Sequence, residues 1–183
     1  MASIDLIEEV RKDMGYGSLP KIDPNTQTPE SANIQSPDLG SAVIPAVLVG
    51  FYKHTRNDEH AAQLMAEKDT NFNLETLFGS EMDNTIQSVA NYAGVPVNEA
   101  EGVMKNAVAA TKEILRREIK NPDGKAVSSF FSEQRSNILK HLPVELKMGE
   151  IMKDPSMDDR TNKMEGPMSG MMHTIEKIFS STK

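Results

Sequence analysis

With 183 residues, 38% hydrophobic content, no tryptophan and 5% aromatics, the chain is sized for one ordinary domain plus polar extensions, its core filled by aliphatic and methionine side chains. The absence of cysteine excludes disulfides, thiolate metal sites and cysteine nucleophiles. A net charge of −7, carried mainly by residues 1–111 and partly offset by a basic excess over residues 112–147, argues against nonspecific nucleic-acid binding, which needs lysine and arginine to neutralise phosphate.

The first predicted element is an amphipathic helix within residues 1–15, with Ser3 as its cap, Ile4, Ile7, Val10 and Met14 on one face, and Gly15 as its left-handed stop. A helix this short is marginal in water, so its stripe must dock on something to be ordered. Two early acids and no apolar run of signal-peptide length point to a cytoplasmic protein. Residues 16–35, carrying Pro20, Pro24 and Pro29 among Ser, Thr, Asn and Gln, have little to bury and read as a tether.

A helical core domain is expected over residues 36–153, opening with Ser36 ahead of Pro37 in the cap-then-proline order. The following run through Leu39, Val43, Ile44, Val47, Leu48 and Phe51 is apolar on nearly all sides and therefore central, with a kink or restart at Pro45. Its apolar stretch is too short for a bilayer, which needs about 20 residues. Short helices are expected over Asp58–Lys68, Asn73–Phe78 closed by Gly79, and Met82–Ala93.

The strongest periodicity follows. Ala100, Val103, Met104, Ala107, Val108, Thr111, Ile114 and Leu115 recur at steps of three and four, which predicts one buried stripe on a helix over Asn98–Ile119. The Asn121-Pro122-Asp123-Gly124 turn then introduces a helix carrying Val127, Phe130, Phe131, Ile138 and Leu142 and ending at Pro143, with a last turn over Glu145–Met152. Residues 154–166 read as a polar linker. Residues 167–183 are expected to form an amphipathic helix with Met168, Met171, Met172, Ile175, Ile178 and Phe179 on one side.

Residues with chemical potential are few. Ile86 to Met104 has helix-turn-helix spacing, yet Glu99 and Glu101 occupy the start of the would-be recognition helix and only Lys105 is basic nearby, so the segment reads as a structural corner. Asp69, Asn71 and Asn73 imitate a calcium loop that then fails, with Leu74 where glycine is needed and Ser80 where a bidentate Glu belongs. They read as a polar turn and a helix cap. His54, Asp58 and His60 straddle a helix boundary, with the two histidines off one face, and read as surface residues; His141 and His173 have no partner at helical spacing. Lys112, Arg116, Arg117 and Lys120 read as a solvated face, with Glu113 pairing Arg117.

Two stretches, YAGVPVNEAEGVMKNAVAATKEIL and SSFFSEQRSNILKHLPVELKMG, resemble the YidB-like family of small bacterial helical proteins. The resemblance implies an all-helical fold in a bacterial protein and supplies no catalytic residue. The resulting expectation is an all-α single multihelical domain with a tethered amphipathic helix at each terminus, no cofactor, no metal and no enzymatic site. Its working parts are Ile4, Ile7, Val10, Met168, Met171, Met172, Ile175, Ile178 and Phe179, docking on another protein or another copy. The alternative is a helical binding domain for an apolar small molecule or lipid. Nucleic acid is not expected as a partner, and few basic residues border either stripe, which disfavours peripheral membrane contact.

Overall fold

The computed structural model describes residues 4–23, 38–65, 72–120 and 123–158, whose regular elements are all helices. They are α1 (Leu6–Asp13), α2 (Leu39–His54), α3 (Asp58–Leu64), α4 (Leu74–Phe78), α5 (Met82–Ala93), α6 (Val97–Glu118), α7 (Gly124–His141) and α8 (Met148–Ile151), with 3-10 turns at Gly79–Glu81, Val144–Leu146 and Pro155–Met157.

The apolar run that forms α2 sits at the centre. Every residue from Gly40 to Phe51 is buried, and the helix packs against α1, α4, α5, α6 and α7. It runs as one element through Pro45, where a kink or restart was expected, because neighbours on all sides hold a segment that proline alone would break. Its cap is Asp38, whose Oδ1 accepts the Ser41 amide at 2.6 Å. The cap expected at Ser36 lies outside the described residues.

The stripe on α6 is buried as its spacing requires: Ala100, Met104, Ala107, Val108, Thr111, Ile114 and Leu115 face the core, with Val103 partly covered. Thr111 is tolerated there because its hydroxyl donates to the Ala107 carbonyl at 2.8 Å. Gly94 closes α5 in the left-handed region at φ 67°, so the helix-turn-helix spacing is a tight corner packing α5 on α6. Lys105 is already paired with Glu101 at 2.7 Å.

The α7 helix starts where the turn signal placed it. Asp123 caps it by accepting the Ala126 amide at 2.7 Å. Gly124 is required by close approach to α3: a Cβ built there would stand 2.0 Å from the Asp58 carbonyl oxygen. Residues 92–115 form the end of α5 with most of α6, and residues 128–149 form most of α7 with the turn that follows it.

Two boundaries need correction. The α1 helix is part of the core, not a leashed element: Leu6 and Val10 are 0% exposed, Ile7 is 2% exposed, and Ile4 is partly covered. A polar strip on α7 fixes the start of α1. The buried Gln134 accepts the Leu6 amide through Oε1 at 3.2 Å and donates through Nε2 to the Ile4 carbonyl at 2.9 Å, and Asn137 donates to the capping carboxylate of Asp5 at 2.7 Å. The first part of the expected tether is also seated, with the Tyr16 ring over Gly40 and Ile22 buried, its amide donating to the Lys140 carbonyl at 2.6 Å. At the other end the body runs past residue 154, since Met157 is fully buried and the Asp158 carboxylate accepts the Gly149 amide at 3.1 Å.

Candidate functional site

The α2 helix leaves the core at its C-terminus, and a short reversal there gathers side chains that are apart in sequence. Thr55 ends α2, its hydroxyl donating to the Phe51 carbonyl at 2.8 Å. Asn57 then caps α3, accepting the amides of Glu59 at 2.9 Å and His60 at 3.1 Å. This reversal lays the imidazoles of His54 and His60 against each other, centroids 4.9 Å apart and planes at 21°. Spacing along the sequence suggested two unrelated surface histidines; the missed signal was Asn57, a strong cap placed directly between them.

The pair is anchored to the core. Phe72 meets His54 edge-on at 5.3 Å and stacks on Phe51 at 5.5 Å, and Phe51 stacks on Phe131 at 5.6 Å. Burial lowers the pKa of His54, and the neighbouring His60 lowers it further.

Beside the imidazoles lies an open cleft of about 580 Å³, bounded by the α2–α3 reversal, the end of α4 with Gly79–Glu81, and the Met152–Asp154 segment. Leu77, Phe78 and Met152 supply its apolar surface, and Lys53, Arg56, His54, His60 and Asn57 its donors. Its two acids are engaged. Glu81 pairs with Lys153 at 2.8 Å, a hydrogen bond that lowers its pKa; Asp154 pairs with Arg56 at 2.7 Å. Burial raises the pKa of Asp154, but hydrogen bonds from Ser156 and the charge of Arg56 outweigh it and hold it below the usual value. The Lys53 ammonium donates to the Met152 carbonyl, a neutral acceptor.

The other residues singled out in the sequence do not converge on this cleft. Ile7 and Val10 lie inside the core beneath α1, with Ile4 partly buried against it; Met168, Met171, Met172, Ile175, Ile178 and Phe179 lie outside the described residues, as do His173, Asp69 and Asn71. Asn73 caps α4, accepting the Thr76 amide at 3.0 Å. Glu113 pairs with Arg116 rather than Arg117, and Arg117 reaches α1 instead, 2.9 Å from Glu9 and 3.9 Å from Asp13. Among the described residues, no group of three or more His, Asp or Glu could hold a metal ion, and no helix is long and apolar enough to cross a membrane.

His141, at the end of α7, is 6% exposed, and burial lowers its pKa, opposed by a hydrogen bond between Nδ1 and the Asn137 carbonyl at 2.9 Å. With His54 this gives a pH dependence of known sign. The unfolded chain takes up protons at the ordinary histidine value of 6.5 while the folded chain lags behind, so stability is lost as pH falls through that value. The melting temperature is expected to drop between about pH 7 and about pH 5, before most carboxylates protonate. The His54→Gln/His141→Gln double variant should flatten that limb; an unchanged slope would locate its cause elsewhere.

No family model matches the chain, and no curated protein or solved structure matches it.

Proposed function

We propose that this chain is a non-catalytic accessory protein of the bacterial cytoplasm that docks on another protein, or on a second copy of itself, through the apolar stripe of residues 167–183. The observation that carries this reading is the internal use of the first stripe: Leu6, Ile7 and Val10 are spent on the chain's own core, which leaves the C-terminal stripe as the remaining docking element. Met168, Met171, Met172, Ile175, Ile178 and Phe179 have the three-and-four spacing of anchors that enter a groove, and methionine adapts to varied surfaces. A helical body with a tail of this kind needs no reactive side chain to work.

Substituting Met172→Asp and Ile175→Asp together is expected to abolish both pull-down of the partner and any self-association seen by light scattering, with the melting transition unchanged. Glu176→Gln with Lys177→Gln, off the stripe, should leave capture intact. Loss of folding in the aspartate variant would make the tail part of the core and end the docking reading.

A further inference from the structure

We propose that the α2–α3 reversal is an acid-opened hinge: the stacked imidazoles of His54 and His60 hold it shut while they are neutral, and charging both releases α3 from its seat. The two rings lie 4.9 Å apart, centroid to centroid, with planes 21° from parallel, so two positive charges on them would face each other across a single ring spacing. The partners are unequal. His60 is exposed on α3, whereas His54 is half-buried with Phe72 edge-on against it at 5.3 Å. His60 can be charged where it stands; His54 takes a proton only by leaving its site for water.

The charges around the pair do not offset a second proton. The end of α2 adds Lys53 and Arg56, and α6 sets the Lys112 ammonium 5.2 Å from the centre of the Phe72 ring. Glu81 and Asp154, from the neighbouring turns, are held by Lys153 at 2.8 Å and Arg56 at 2.7 Å, and the carboxylates of α3, Asp58 and Glu59, are exposed. The α7 helix brings uncharged groups, Phe131 to the ring stack and Gly124 to α3. Burial first and then His60 hold the His54 pKa down. What the hinge retains is lightly built: α3 has seven residues, buries Ala61 and Leu64, and packs on α7. A helix that short has little stability of its own, so it follows the reversal when the reversal opens.

A histidine that binds its proton more weakly in the closed form favours the open form as pH falls through its ordinary value of 6.5. At about pH 5 that imidazole, once open, is protonated about 30 to 1, which sets the ceiling for one ring. The opening is local, and neither His141 nor residues 167–183 take part in it.

The test is amide hydrogen exchange of the full-length protein at about pH 7 and about pH 5, each rate divided by the intrinsic rate at that pH. Relative to the amides of residues 104–115 in α6, which report global unfolding, those of residues 61–64 are expected to open about tenfold more at the lower pH. His60→Gln, at an exposed position, removes the second charge and should cut that rise to about threefold. His54→Phe keeps a ring against Phe72 with no proton to take up, and should abolish the rise. If His54→Phe does not fold at neutral pH, His60→Gln decides alone. The hinge is overturned if the α3 amides of the parent keep pace with those of α6 at both pH values, or if the rise is undiminished in either folded variant.

Discussion

Val10→Asp is expected to destabilise the whole body, lowering the melting temperature by on the order of 10 °C. The side chain is 0% exposed on a helix that packs against α2, α6 and α7. Its removal forfeits about 1.5–3 kcal/mol of apolar burial, and the new carboxylate must either stay ionised in the core, at several kcal/mol, or expel α1 from its seat. A domain of this size loses roughly 2–4 °C per kcal/mol, so the sum is large against ordinary stability. Thermal denaturation followed by circular dichroism measures it, with Val10→Ala as the milder companion. The ion pairs from Arg117 to Glu9 and Asp13 cannot compensate, since exposed pairs are worth about 0–1 kcal/mol. A variant that melts like the parent would return α1 to the role of a loosely held docking helix.

That experiment bears on the place where reading the sequence went furthest astray. The pattern at Ile4, Ile7 and Val10 states that one face of α1 must be covered and is silent on what covers it. The answer lies in α7, where the polar residues Gln134, Asn137 and His141 recur at helical spacing. Gln134 is buried because it answers two backbone groups at the start of α1. Nothing local marks that pairing, which joins residues about 130 positions apart.

By contrast, the α6 stripe, the Gly94 corner, the Asp123-Gly124 start of α7 and the all-apolar α2 were legible because each is a local statement. Periodicity, a cap and a left-handed glycine constrain only the next turn or two of backbone. The candidate cleft was less legible for the same reason. Its histidines, its lysine and its acids belong to three elements and the segment after α8, and only the turn around Asn57 carried a local sign that His54 and His60 would meet.

The cleft is also mechanically continuous with the core. Its wall at His54 rests on Phe72, and Phe72 rests on Phe51, which is 0% exposed and stacked from the other side by Phe131. Phe51→Ala is therefore expected to act twice. Removing the ring should cost about 3–5 kcal/mol through lost burial and the void left behind, a fall in melting temperature of roughly 10 °C or more. Below that transition, the loss of its support should let Phe72 relax, so the His54 imidazole resonances should shift and broaden in NMR spectra. Phe51→Leu keeps most of the apolar volume and gives up the ring stacking, at about 1–2 kcal/mol. If the aromatic chain couples core to cleft, His54 should respond in both variants, and more in the alanine one. A large loss of stability with unmoved His54 resonances would show that the imidazole pair is held by the Thr55–Asn57 reversal alone, and that the core and the cleft are separable.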